Sequence, residues 1–306
     1  MDRMPAPVSD PRARPVAVFD SGVGGLTVLH ELLVSLPGED YVYLGDTARF
    51  PYGEKTAAEL ERFSLEIAEL LLARGAKLLV VACNSATAAA LDSLRERMAS
   101  TTLGVEVVGV LEPVARLAAA ATANGRIGLL ATAATVASGA YERAVAAHRP
   151  LVEVTSVAAT RLATIIQDGN PFDRAAVDTV REYCEPLREA GVDTVILGCT
   201  HYPLVAPMIQ RTLGRGVRLI SSAMATAVAV ERALSAAGLE NPRTGEGEYR
   251  FLCTGEVEPF RALGSRFLQL PLEDVARVEL AGVEDARPGP PGEGAARVEL
   301  PVGVGG

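Results

Sequence analysis

The chain has 306 residues, 49% of them apolar, with a formal net charge of −9 and a pI near 5.1. That acidic balance argues against a nucleic-acid partner, because non-specific binding needs a basic face that releases counterions and no basic stripe is visible. No run reaches the ~18 apolar residues of a membrane helix, and the opening MDRMPAPVSDPRAR lacks the apolar stretch of a secretory signal, so a cytoplasmic protein with one large or two ordinary α/β domains is expected.

Along the chain, strands and helices alternate. Val16 to Phe19 reads as a short strand ending at DSGVGG, and Leu26 to Leu36 has the apolar spacing of a helix. Tyr41 to Leu44 is the next strand, and the loop GDTARFPYG leads from it into a long amphipathic helix from about Thr56 to Arg74. Leu78 to Ala82 is a third strand ending at Cys83, with a helix through ATAAALDSLRERMA behind it. Val105 to Val110 is read as opening a second half. There Ile127 to Thr132 and the segment TVASGAYERAVAAH repeat the strand, turn and helix theme, and Val152 to Val157 adds a strand. A helix over Arg174 to Ala190 precedes the strand Thr194 to Leu197 and Cys199; after Leu219 and Ile220, a helix (Ala225 to Gly238), a strand (Tyr249 to Cys253) and a last helix return to the first half.

This alternation predicts an α/β fold of parallel sheets flanked by helices, with right-handed crossovers. Two similar lobes are expected, residues 15–107 plus 220–280 and residues 108–219, with the active site in the cleft between them. Residues 1–14 and the Pro/Gly-rich tail 281–306 are expected to be disordered.

Four cysteines without a CxxC pair or a Cys/His metal spacing point to reduced thiols, with no disulfide framework and no metal. Two of them sit where a buried apolar strand gives way to a polar turn, LLVVACNSAT around Cys83 and TVILGCTHYP around Cys199. The carboxyl ends of parallel strands are where open α/β sheets place ligands, so one thiol from each half can face the other. Two facing thiols suit removal of a proton from one side of a carbon and its return from the other, which is racemisation or epimerisation. A helix start or a neighbouring imidazolium lowers a thiol pKa toward the range of acid/base work. A lone buried cysteine at a strand end is ordinarily a small hydrophobe; here the same corner occurs twice. Cys184 (REYCEP) and Cys253 (RFLCTG) lack that pattern and read as structural.

Most enzymes that take the α-proton of an amino acid recruit pyridoxal phosphate through a lysine. Only Lys55 and Lys77 are present. Lys55 begins a surface helix, and Lys77 precedes its strand, at the end of the sheet away from the ligand cleft. No cofactor is therefore expected.

Asp20 and Ser21 stand just before the Gly22–Gly25 turn, whose N–H groups face a ligand or simply close a tight connection. GxGxxG is absent, so no dinucleotide site is indicated. Asp20 either orients a substrate ammonium, influences the Cys83 thiol, or caps a helix. His201, two residues after Cys199, either depresses the thiol pKa, donates a proton itself, or is a hydrogen-bonded turn residue. His30 and His148 read as surface or packing residues. Pro51-Tyr52-Gly53 is a loop whose glycine either lets backbone approach a ligand or makes an ordinary turn.

The segments FDSGVGGLTV, GDTARFPYG, VACNSATA, GVLEP and LGCTHYPL, spread over about residues 16–205, together resemble the glutamate racemases of the cofactor-independent aspartate/glutamate racemase superfamily. GCTHYP looks like that branch and not its aspartate relative. The resemblance implies two α/β lobes enclosing D- or L-glutamate, with Cys83 and Cys199 as acid/base thiols, supplying D-glutamate for peptidoglycan precursors. It further implies substrate contacts from Asp20, Ser21, Tyr52, Gly53, Asn84, Ser85, Thr200 and His201, with Asp20 and His201 also assisting the thiols. A homodimer is compatible with it. Gln167 stands where the family has a glutamate and cannot titrate; Ser221 stands where an aspartate often follows the strand, and Ser85 replaces a threonine. Two other readings remain. One is a non-catalytic carboxylate-binding or regulatory protein that kept the pocket. The other is a related thiol enzyme such as a decarboxylase, which needs one cysteine only.

Overall fold

The structure, a computed structural model, describes residues 10–100, 104–168 and 173–280. Strand β1 (Val16–Asp20) leads through a glycine turn to α1 (Leu26–Ser35) and β2 (Tyr41–Gly45). A loop with two short 3-10 turns precedes α2 (Ala57–Ala73), whose start is fixed by reciprocal hydrogen bonds between Thr56 and Glu59. Next come β3 (Leu78–Val81), α3 (Asn84–Ala99), β4 (Glu106–Gly109), α4 (Leu111–Ala121) and β5 (Arg126–Ala131). The segment TVASGAYERAVAAH, read as a turn and a helix, belongs to two helices, α5 (Ala133–Ser138) and α6 (Ala140–His148). Gly139 between them has φ 61°, a left-handed conformation that ends a helix and is cheap only for glycine.

The chain continues with β6 (Glu153–Ala158), α7 (Leu162–Gln167), α8 (Arg174–Glu189), β7 (Thr194–Gly198), α9 (Ala206–Leu213) and β8 (Arg218–Ser221). It closes with α10 (Ser222–Ala237), β9 (Tyr249–Cys253), α11 (Val257–Leu268) and β10 (Val275–Arg277). The strands form two wholly parallel sheets, ordered β10-β9-β2-β1-β3-β4 and β6-β5-β7-β8.

The strand at Val105 to Val110 does not open the second half. β4 pairs with β3, Val107 opposite Leu79, and forms an edge of the first sheet. A division at 107/108 cuts this strand, and one at 219/220 cuts β8, whose Ile220 and Ser221 pair with β7. An apolar run satisfies either sheet equally, so strand composition alone does not choose between them. After α10 the chain returns to the first sheet, where β9 pairs with β2. Residues 10–14, expected to be disordered, are a 3-10 turn capped by Asp10, and the Arg12 carbonyl accepts from Lys77 Nζ at 2.5 Å. Residues 1–9 and the tail 281–306 lie outside the described residues.

Side-chain alternation distributes the core. Val16 and Val18 of β1 with Leu78 and Val80 of β3 join the cluster that runs between the two sheets; Ala17, Phe19, Leu79 and Val81 face the layer under α2 and α3. In the second sheet Val195 and Leu197 face the shared cluster, and Ile196 faces α4 and α6. Lys77, at the amino end of β3, pairs with buried Glu39 at 2.5 Å, at the end of the sheet away from the strand C-termini.

Between β2 and α2, the buried Arg49 guanidinium holds its loop in place. Its Nε meets Asp46 at 2.6 Å, its Nη1 meets Glu66 at 2.6 Å, and it stacks 4.0 Å over the Phe63 ring. Removing one member of a buried ion pair strands the other charge, which costs about 3–5 kcal/mol. We expect Arg49→Met to lose stability by roughly that amount in denaturant unfolding at pH 7. A loss below about 1 kcal/mol, the range of exposed pairs, contradicts this role.

Candidate active site

The carboxyl ends of β1, β3 and β7 converge, and the residues just beyond them line one cleft between the sheets. Cys83, the cap residue of α3, enters from the first sheet, and Cys199, directly after β7, from the second. Alternation explains their aim: Cys83 continues the face of Leu79 and Val81, and Cys199 that of Val195 and Leu197. Ser21, Asn84 and Ser85 line the cleft beside Cys83; Thr200 and His201 line it beside Cys199; Tyr52 and Gly53 close it from the β2–α2 loop.

Two glycines permit this proximity. A β-carbon on Gly24 would stand 2.4 Å from Thr200 Oγ1 and 2.5 Å from His201 Nδ1, and one on Gly53 would stand 2.7 Å from Thr132 Cβ. Across the first contact, Thr200 Oγ1 donates to Asp20 Oδ1 at 3.3 Å. Asp20 is fully buried behind the cleft wall and is not among the lining residues. Burial raises its pKa, while the N–H groups of Gly25 and Gly22, the Thr200 hydroxyl and the Ser21 N–H oppose the rise.

The thiols are buried and unpaired in disulfides, as are Cys184 and Cys253. Burial pushes Cys83 up to about 12, the Asp20 carboxylate adds to it, and the N–H of Ala86 and the hydroxyl and N–H of Ser21 work against it. Burial likewise raises Cys199; the His201 N–H lowers it, Asp20 and Cys83 add to it, and the Tyr202 N–H again lowers it.

His201 packs between the rings of Phe50 (5.6 Å) and Phe267 (5.2 Å, edge-on), and this burial lowers its pKa to about 4. The imidazole is therefore neutral at physiological pH, so a thiol pKa depressed by an imidazolium does not apply. Gln167 Oε1 lies 3.0 Å from Nε2 and Cys199 Sγ 3.8 Å from Nδ1. With Nε2–H donating to Gln167, the Nδ1 lone pair faces the sulfur.

Other positions differ from a simple list of ligand contacts. The Tyr52 hydroxyl is turned away from the cleft and donates to Asp46, beside Arg49. Ser85 Oγ bonds Thr132 Oγ1 at 2.8 Å and Thr135 Oγ1 at 3.2 Å, a hydroxyl cluster that spans the two sheets. The Asn84 carboxamide accepts from the Tyr141 hydroxyl at 2.6 Å, while its buried Nδ2 has no partner among the described residues. Ser221 ends β8 and does not line the cleft. His30 bonds the Leu268 carbonyl and His148 pairs with Glu112, both away from the cleft.

Sequence reasoning passed over Tyr141, Thr132 and the Phe50 and Phe267 rings. Thr132, the residue after an apolar strand in IGLLAT, carried the same strand-end signal as the cysteines. Tyr141 and Phe267 carried none, because a helical aromatic reads as core. Among the described residues, no group of three or more His, Cys, Asp or Glu has the arrangement to hold a metal ion, and no helix is long and apolar enough to cross a membrane.

Residues 26–230 match the family model for Asp/Glu/hydantoin racemases. A glutamate racemase of Geobacter metallireducens is 45% identical over 265 residues, covering 87% of this chain and 96% of that protein. The crystal structure of a Bacillus anthracis glutamate racemase superposes with a TM-score of 0.83 at 37% identity, over 88% of this chain and 98% of that one. A Francisella tularensis glutamate racemase, solved in complex with D-glutamate, gives 0.80 at 31% identity with the same coverage. Since the family match covers more than half of the chain and includes both cysteine corners, the chain belongs to the Asp/Glu/hydantoin racemase family.

Proposed function

We propose that Cys83 and Cys199 are the two acid/base groups of a cofactor-independent glutamate racemase that interconverts L- and D-glutamate and supplies D-glutamate for peptidoglycan. The activity follows from relatives named for it that match most of the chain. The observation that carries the two-thiol assignment is the single cleft lined by both cysteines, one from each sheet. A thiolate on one side removes the α-proton and becomes a thiol; the thiol opposite delivers its proton to the other face and becomes a thiolate. For the reverse reaction the roles exchange.

Around them, Asp20 and His201 assist the thiols. Asp20 lies behind Cys83 with its charge held by the glycine turn, and the Nδ1 lone pair of neutral His201 accepts a hydrogen bond from the Cys199 thiol. Asp20, Ser21, Tyr52, Gly53, Asn84, Ser85, Thr200 and His201 surround the substrate on this reading, Asp20 through Thr200 and Tyr52 through its ring. The reading also includes a cytoplasmic enzyme and a homodimer. Exposed Met224 and Val228, one turn apart on α10, offer an apolar surface to a second copy.

Each of Cys83→Ala and Cys199→Ala should lower racemisation of glutamate at least ~10²-fold, followed by circular dichroism, and Cys184→Ala should not. In D₂O, the product enantiomer of the wild-type protein should carry deuterium at the α-carbon from its first appearance, because the delivered proton comes from a different group than the one that received it. Substantial turnover by Cys199→Ala would sink the two-thiol assignment. The pH profile is a separate check. A thiol raised to about 12 is almost wholly protonated at neutral pH, so kcat/KM should climb with pH from 6.5 to 8.5. It should show no inflection at the ordinary imidazole pKa, since His201 is neutral above about 4. A flat or falling profile over that range contradicts the assignment.

A further inference from the structure

Asn84 stands at the first position of α3 with its side chain in the cleft, 2% exposed, and its Nδ2 has no hydrogen-bond partner among the described residues. A buried amide donor left unpaired is destabilising unless a ligand completes it. The other end of the same carboxamide is held by Tyr141, whose hydroxyl donates to Oδ1 at 2.6 Å. Tyr141 is fully buried, comes from α6 at the second sheet, and is not among the residues lining the cleft. We propose that Tyr141 is a positioning residue that fixes the orientation of the Asn84 amide, so that Nδ2 faces the cleft as a donor for a carboxylate oxygen of the substrate.

The chemistry of a phenol sets the direction. Its oxygen shares a lone pair with the ring, which makes it a strong donor and a weak acceptor, so it selects the carbonyl end of a carboxamide. Burial raises the Tyr141 pKa and keeps its proton in place. With Oδ1 engaged, the amide presents N–H to the space beside Cys83. Were the amide reversed, a carbonyl oxygen would meet the substrate carboxylate and repel it. The hydrogen bond also joins the β3–α3 corner of the first sheet to α6 of the second. The donor is therefore aimed only when the two sheets sit as they do here.

This inference rests on the racemase reading, and the test keeps the two apart. KM and kcat for both enantiomers of glutamate are measured in Tyr141→Phe, Asn84→Ala, the double variant and Asn84→Asp, with thermal melts of each. Tyr141→Phe is expected to raise KM roughly tenfold, as for loss of a hydrogen bond to a charged group, with a smaller change in kcat. In the Asn84→Ala background the same substitution should change KM less than about twofold, because a residue that acts through Asn84 has nothing left to aim. Equal, additive effects in both backgrounds overturn the proposal, as does an unchanged KM in Tyr141→Phe. Asn84→Asp retains an acceptor for Tyr141 but loses the N–H donor, so its KM should rise above that of Asn84→Ala. If Asn84→Asp binds glutamate as the wild type does, the proposal fails whatever Tyr141→Phe does to the fold. A wild-type protein that does not interconvert glutamate would refute the functional reading instead.

Discussion

The close approach of two loops is the constraint on which the rest of this molecule depends. The Gly22–Gly25 turn of the first sheet and the Cys199–His201 corner of the second meet with no room for a β-carbon at Gly24. That contact lets Thr200 reach Asp20 and brings the corners after β3 and β7 into one enclosed space. A second such contact, Gly53 against Thr132, closes the other side. Acid/base chemistry on a single carbon tolerates little error, since a displacement of about 1 Å can cost ~10² in rate. The two sheets therefore have to be held by packing as tight as a protein interior, and the apolar cluster that runs from Val16 and Val18 through Val195 and Leu197 does this below the site.

The same enclosure shapes the electrostatics. Both thiols, Asp20 and His201 are buried, and burial moves each toward its neutral form: the acids up, the imidazole down. Opposing this are fixed dipoles, the N–H groups of Ser21 and Ala86 near Cys83 and those of His201 and Tyr202 near Cys199. On the proposed reading the cleft holds its thiols protonated until a zwitterionic ligand brings its own ammonium among them, and the dipoles then stabilise the thiolate that forms. Gln167 fits that scheme without titrating. It holds one ring nitrogen of His201 and leaves the other facing the sulfur.

What was legible in the sequence was whatever has a period or an end. The buried strands at Val16, Leu78 and Thr194 read as continuous apolar runs because parallel strands are covered on both faces, and the two cysteines drew notice because each terminates such a run. Contacts between sheets were not legible. Nothing in Val105–Val110 tells which sheet it joins, because pairing partners are chosen in three dimensions. The α4 segment LEPVARLAAAA was not read as a helix, and its role as the crossover between the sheets went with it. The turn expected after β5 is a short helix of its own, α5, ended by Gly139, whose left-handed conformation leaves no mark on hydrophobic spacing. Tyr141 was indistinguishable from a core aromatic: its significance lies in one hydroxyl oxygen and in Asn84, 57 residues away.

If each thiol serves one face of the α-carbon, α-proton exchange in the single-cysteine variants separates the two faces. Cys83→Ala and Cys199→Ala are each incubated in D₂O with L-glutamate and, separately, with D-glutamate, and α-deuteration is followed by proton NMR. Mirror-image behaviour is expected: each variant washes deuterium into one enantiomer alone, the two variants choose opposite enantiomers, and neither inverts its substrate. Exchange into both enantiomers by either variant, or the same enantiomer chosen by both, would contradict it.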